Sequence, residues 1–261
     1  MNLNLQYRNN WVDICYYWKN KWPVYTANYK DSEHTFNIYT FIEALSSTMT
    51  NNHIVVTDAG SPSYALPQNL KCKQNQRVVF SASQADMGFA VPGSVGVAKA
   101  NPDNHVIVVT GDGSFNSNLQ ELSVIKHHNL PVSIFVLDNN GYLSIKNTQK
   151  KFFNNRVYGV SPNTGIRLVD LNKTAQLFDL DYYVLSNKTN MELVLKDLIN
   201  DSSPKIVKVP CEEDQEIIPT QMFKTINGEK VQPALDDMYP FLEQKEYEEE
   251  VRKVYENTSI R

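Results

Sequence analysis

The sequence predicts an α/β protein, a parallel sheet flanked by helices. Three observations point there. Short apolar runs recur at His53–Thr57, 106–110 and 132–138. Helical patterns lie between these runs and others like them. Gly- and Asp-bearing turns follow the runs directly. Continuous apolar runs suit strands buried on both faces, and strands alternating with helices suit a doubly wound sheet.

The elements follow in order. Trp11, Ile14, Tyr17 and Trp18 have helical spacing, and Pro23 ends that pattern, so the chain starts with a lead-in helix and linker. Thr35–Thr50 reads as a helix with Phe36, Tyr39, Leu45 and either Phe41 or Ile42 on one face. Strand His53–Thr57 runs into the turn Asp58-Ala59-Gly60-Ser61-Pro62, where a Gly lets backbone approach a ligand. Arg77–Ser81 is a second strand. Gln84–Ala100 reads as a helix of small residues, including Gly88, Ala90, Gly93 and Gly96, packed tightly on a neighbour. Strand 106–110, helix 115–128 and strand 132–138 come next. Arg167–Leu171, Asp181–Leu185 and Lys205–Val209 read as later strands, with helices near 172–179 and 190–200. Prolines at 204, 210, 219 and 233 break up the last third. Residues 212–240 read as mostly loop, and Phe241–Asn257 as a charged surface helix.

Composition narrows the function classes. The chain has 261 residues and a net charge of −4, with no basic excess to suggest nucleic acid. No apolar run approaches the ~20 residues of a membrane span, and the polar, aromatic N-terminus has no signal-peptide core. Cys15, Cys72 and Cys211 are far apart and form no CxxC pair. A disulfide framework or zinc site is not expected, and a cytoplasmic setting fits.

The chemistry concentrates in His105–Ser144. An apolar β run ends in Gly111-Asp112-Gly113, a helix follows, and a second run ends in Asp138-Asn139-Asn140-Gly141. Asp112 and Asn139 are 27 positions apart, about one strand–helix–strand unit, which needs roughly 30 residues. On neighbouring parallel strands both side chains reach the same carboxyl edge, where open α/β sheets bind ligands. A carboxylate, an amide oxygen and a backbone carbonyl from Gly141 form a hard oxygen site suited to Mg²⁺ or Ca²⁺ rather than zinc. The glycines beside Asp112 let backbone N–H groups face a phosphate, and Ser114 opens a helix whose start attracts an anion. The spacing is not the GxGxxG of a dinucleotide fold.

This segment resembles the diphosphate-binding motif of thiamine diphosphate enzymes, in which Gly-Asp-Gly is followed after about 27 residues by Asn-Asn. The family's metal-binding Asn falls on Asn139 and its carbonyl ligand on Gly141, while Asp138 stands where many members have Asn. The likeness runs from about His53 to Phe153. Ala59-Gly60-Ser61 is similar to the diphosphate-holding turn of acetolactate synthase-like enzymes, and Ala85-Asp86-Met87-Gly88-Phe89 to their Met-Gly segment. Leu119–Leu122 and Asn129–Val132 resemble the same enzymes. Asp236–Phe241, and Tyr142–Ile145 followed by Thr148–Phe153, resemble members associated with polysaccharide genes, which can join a pyruvate-derived two-carbon unit to a keto-sugar.

The resemblance implies the thiamine diphosphate-binding fold and a set of roles. Asp112, Asn139 and Gly141 would hold Mg²⁺. Ala59, Gly60, Ser61, Gly113 and Ser114 would hold the diphosphate. Met87 would support the bent cofactor, and Tyr142 would pack near its mouth. His127 and His128 end a helix, where positive charge is favourable, and Glu121 reads as a helix or subunit contact.

The reaction implied is decarboxylation of a 2-keto acid, pyruvate above all, then transfer of the two-carbon unit to an acceptor. The activating glutamate belongs to a pyrimidine domain that this chain lacks, so a partner chain or further domains and an oligomer are expected. FAD would sit in an absent middle domain and is not supported by this chain. Residues 1–35 read as a linker and the end of that middle domain, 36–210 as the diphosphate domain and 211–261 as a C-terminal extension. Alternatives are the β-type subunit of a two-chain 2-keto acid decarboxylase and a catalytically silent cofactor-binding or interaction subunit. A ferredoxin-linked subunit would need clustered cysteines.

Overall fold

A computed structural model describes residues 5–26, 29, 32, 34–186 and 189–258. Of the lead-in assigned to 1–35, residues 1–4, 27, 28, 30, 31 and 33 lie outside the described residues. The chain divides into two compact units, Ala27–Glu216 and Met1–Thr26 with Ile217–Arg261.

The larger unit is a six-stranded, all-parallel sheet. Its strands are β1 (His53–Thr57), β2 (Arg77–Val79), β3 (His105–Gly111), β4 (Val132–Asp138), β5 (Asp181–Val184) and β6 (Lys205–Pro210). Their spatial order is β2-β1-β3-β4-β6-β5. After β1 the chain adds β2 on one side and β3 on the other. The strand order therefore reverses between β1 and β3, and a crevice opens there beyond the carboxyl ends. The register pairs Val56 with Val108, Val108 with Ile134 and Ile134 with Ile206.

Both faces of the central strands are covered. Val106 and Val108 of β3 join a core with Val132, Ile134, Val136 and Ile206. On it pack α4 (Ala90–Ala100), α6 (Glu121–His127) and α8 (Leu171–Leu177), through Val91, Ala98, Leu122, Ile125 and Ala175. On the opposite face Phe135 meets Phe41 of α2 (Ile38–Thr48) with ring centroids 5.7 Å apart. There α2 packs on α3 (Ser61–Asn69) and α9 (Met191–Asn200). Each buried branched side chain contributes roughly 1.5–3 kcal/mol relative to an exposed one.

At the amino edge, two buried imidazoles end on one carbonyl of α9. His105 Nδ1 lies 2.7 Å and His53 Nε2 3.3 Å from the Ile199 oxygen. The fully buried Lys205 ammonium donates to the Leu198 carbonyl at 3.2 Å and pairs with Asp201 at 3.2 Å. These groups satisfy carbonyls that the end of a helix leaves unpaired.

Several expected elements change. The helix expected at 84–100 starts only at Ala90, because Ala85 and Gly88 have φ of 52° and 82°, which an α-helix excludes. The helix expected at 115–128 is α5 (Asp112–Phe115), a 3₁₀ turn over Asn116–Asn118, and α6. Arg167–Leu171 is no strand. The Val169 N–H donates to the Asn116 side chain at 3.2 Å, and Asp170 caps α8. Leu143–Phe152 forms α7, which the apolar pattern did not reveal. The second strand ends at Val79.

The smaller unit pairs α1 (Leu5–Lys21) with α10 (Gln244–Thr258). Glu250 of α10 accepts hydrogen bonds from Trp18 Nε1 at 2.8 Å, Tyr17 at 3.2 Å and the Lys21 ammonium at 2.8 Å. The stretch expected as loop carries a hairpin, Lys224–Ile226 against Glu229–Val231. Its two-residue turn is Asn227-Gly228, both at positive φ, as a type I′ turn requires.

Candidate functional site

The sheet edge at the strand reversal carries a pocket of about 200 Å³. Every residue given a cofactor or metal role from the sequence lines it: Ala59, Gly60, Ser61, Met87, Asp112, Gly113, Ser114, Asn139, Gly141 and Tyr142; Glu121, His127 and His128 do not. Ile38, Tyr64, Ala85, Leu143 and Ile145 add apolar wall. The residues meet because β1, β3 and β4 all end there. Among the described residues no group of three His, Cys, Asp or Glu converges as a metal cluster, so a cation site here would be of the mixed oxygen type.

Three helices begin at this pocket: α3 after Gly60, α5 after Gly111 and α7 after Tyr142. In none does the residue before the helix make a side-chain cap bond, though in α5 the Asp112 carboxylate takes the Gly113 N–H. Uncapped helix starts present N–H groups and the positive end of the helix dipole.

Asp112 sits amid them, 4% exposed. Its two oxygens accept the N–H of Gly113 at 2.6 Å and of Gly141 at 3.0 Å. Burial, and after it the nearby Asp138 carboxylate, push its pKa up to about 7 against the pull of these backbone donors. Asp138 itself pairs with Lys208 on β6. The buried Oδ1 of Asn139 has no hydrogen-bond partner. The Gly141 carbonyl accepts the Leu143 N–H at 3.1 Å, which leaves it a second lone pair.

Two glycines are needed for space. A Cβ on Gly113 would fall 2.1 Å from the Tyr142 ring. One on Gly141, at φ 141°, would fall 1.9 Å from the Val160 carbonyl oxygen, which also accepts the Tyr142 N–H at 2.8 Å. The Gly113 N–H is engaged by Asp112, so Gly113 serves this arrangement chiefly by letting Tyr142 close over it.

Asp58 is the residue that sequence reasoning passed over, reading it only as part of a turn. It is 1% exposed. Oδ1 accepts the N–H of Ala59 at 2.9 Å and of Gly88 at 2.8 Å, and Oδ2 the Thr110 hydroxyl at 2.9 Å and the Ala90 N–H at 3.4 Å. Burial pushes this carboxyl's pKa up, and the four donors oppose it. The signal was available: a carboxylate directly after a buried strand reaches the same sheet edge as Asp112.

The family described as thiamine pyrophosphate enzyme, C-terminal TPP binding domain, matches residues 58–209, more than half of the chain. The chain belongs to this family. Thiamine pyrophosphate and thiamine diphosphate are one compound, and the matched span holds every residue named above at the site except Ile38 of the pocket wall. Among similar proteins are two acetolactate synthase large subunits of Escherichia coli K12. Isozyme 1 is 26% identical over 181 residues, covering 69% of this chain and 32% of that protein. Isozyme 2 is 28% identical over 178 residues, with 68% and 32% covered. The acetolactate synthase large subunit of Lactococcus lactis is 23% identical over 215 residues, with 81% and 36% covered. The chain thus spans about a third of the length of these relatives. It carries the thiamine pyrophosphate-binding domain of that family, on the parallel α/β sheet expected.

Proposed function

We propose that this pocket holds the diphosphate of thiamine diphosphate through Mg²⁺, as one part of a decarboxylating carboligase that takes pyruvate as donor. One observation carries the reading. The Asn139 amide oxygen is buried without a partner, in the same pocket as a buried carboxylate and the starts of three helices. A lone buried acceptor is costly unless something donates to it or coordinates it. A diphosphate and the Asp112 carboxylate repel each other unless a divalent cation lies between them, and Mg²⁺ takes few protein oxygens together with phosphate oxygens.

Asp112, Asn139 and the Gly141 carbonyl would hold the metal, and Ala59, Gly60, Ser61 and Ser114 would face the diphosphate. Met87, 45% exposed at the pocket, would support the thiazolium ring. Tyr142, folded over Gly113, would exclude water from the metal side. When bound, the cofactor would supply a nucleophilic carbon for the keto group and a sink for the electrons that decarboxylation frees. The chain's own residues bind and orient it.

A pocket of about 200 Å³ is below the ~300–1,000 Å³ of a complete ligand site. This supports a second contribution from a pyrimidine domain, on a partner chain or on further sequence. The domain assignment of 1–35, 36–210 and 211–261, an oligomeric state and a cytoplasmic setting belong to the same proposal. Among the described residues, no helix is long and apolar enough to cross a membrane.

Calorimetric titration with thiamine diphosphate, with and without Mg²⁺, tests the site on wild type and Asp112→Ala. Metal-dependent binding that the variant loses is expected. Binding indifferent to Mg²⁺, or none in wild type, would overturn the reading. Robust pyruvate turnover by the pure chain alone would remove the need for a pyrimidine-domain partner.

A further inference from the structure

Helix α4 lacks the local cap that most helices carry. Its preceding residue, Phe89, has helical φ and ψ of −62° and −36° and makes no side-chain cap bond. The first N–H groups of a helix need partners, and a nearby Ser, Thr, Asp or Asn usually supplies one. Here the partner comes from a different strand end. Asp58 reaches the Gly88 and Ala90 N–H groups from 30 and 32 positions earlier. As an anion at a helix start it also meets a favourable dipole.

The consequence falls on Met87. Its neighbour Gly88 is held on both sides of the residue: its N–H by Asp58, and its carbonyl by the Asn118 side-chain amide at 2.9 Å. Asp58 is itself held by the Thr110 hydroxyl at the end of β3. A chain of hydrogen bonds thus runs from the central sheet to the backbone that carries Met87, whose side chain stays exposed in the pocket.

We propose that Asp58 is a positioning residue, capping α4 from the end of β1 and so fixing where Met87 presents itself to the cofactor. This rests on the thiamine diphosphate reading above. Asp58 also accepts the Ala59 N–H of the diphosphate turn at 2.9 Å, but its larger contribution is to the thiazolium end of the site, through Met87.

The two ends of the cofactor can be probed separately. Thiamine diphosphate and inorganic pyrophosphate, each with Mg²⁺, are titrated into wild type, Asp58→Asn, Met87→Ala and the double variant. Asparagine preserves shape, but its NH₂ faces backbone donors that the carboxylate accepted. Asp58→Asn is expected to weaken thiamine diphosphate about tenfold, the scale of one lost charge-assisted hydrogen bond. Pyrophosphate affinity should fall markedly less than that of thiamine diphosphate. Met87→Ala should show the same selective loss, and the double variant should bind no worse than either single one, as residues acting in series do. Amide exchange at residues 86–90 should quicken in Asp58→Asn while that of β3 is unchanged.

Equal weakening of both ligands, or additive losses in the double variant, would make Asp58 a general structural staple and overturn the inference. So would unchanged thiamine diphosphate affinity. If wild type binds thiamine diphosphate and Asp58→Asn does not fold, Thr110→Val, which removes one donor from the same carboxylate, takes its place with the same expected selectivity. A wild type that binds neither ligand would instead bring down the reading of the whole site, and this inference with it.

Discussion

The Asp112 carboxylate accepts the Gly141 N–H at 3.0 Å from 29 positions away. That bond joins the end of β3 to the turn after β4 and sets two proposed metal ligands side by side. It depends on a backbone that only glycine allows at position 141. The φ of 141° is strained for any other residue, and a Cβ would strike the Val160 carbonyl oxygen.

Gly141→Ala is therefore expected to destabilise the chain by about 3 kcal/mol, near the upper end for single substitutions. Urea unfolding checks this. An unchanged midpoint would mean that the turn relaxes freely and that Gly141 does not brace the site.

Asn139→Leu separates stability from function, because the Asn139 Oδ1 is buried and unpartnered. Replacing an unsatisfied polar group by an apolar one of similar size is neutral or stabilising, by up to about 1–3 kcal/mol. Without Mg²⁺, the variant should melt at or above the wild-type temperature. Mg²⁺-dependent binding of thiamine diphosphate should disappear. A sharp drop in melting temperature would show that the amide contributes to the fold instead.

Acid should loosen the opposite edge of the sheet. Burial, partly offset by the Ile199 carbonyl, lowers the His105 pKa to about 4. Neutral His105 can donate to Ile199 from Nδ1 and accept from Ser133 at Nε2, 3.0 Å away. His53, whose ring centroid is 5.7 Å away, is also lowered by burial, and Lys205 opposes a second positive charge there. Between pH 6.5 and about 4 the unfolded chain binds more protons at this site, so stability falls as pH falls. The loss assigned to His105 is about 3 kcal/mol at most. Urea midpoints at pH 7 and 4.5 should drop less in His105→Gln than in wild type. Equal slopes would count against the mechanism.

The strands that build the site were legible because each is apolar on both faces and is followed by its functional residue: His53–Thr57 before Asp58, β3 before Asp112, β4 before Asn139. Nine of the ten residues given cofactor or metal roles reach one pocket for that reason, and Met87 is carried there by the loop before α4. What escaped the sequence is held by distant partners. The start of α4 is set by Asp58 rather than by a local cap, and the Val169 N–H is taken by the Asn116 side chain rather than by a neighbouring strand. The hairpin at 224–231 is a different case, since Asn227-Gly228 is a local signal that the surrounding prolines obscured.

The strand reversal between β1 and β3 also orders events during synthesis. β1 emerges early, with an edge that stays bare until β3 has been made, and non-local parallel pairing is slow and exposed to aggregation. The pocket closes only when Ile145 has left the ribosome, because its walls come from segments as far apart as Ile38 and Ile145. Cofactor present in the cell cannot rescue the nascent chain before that point, so whatever protects the unpaired edge of β1 must act without it.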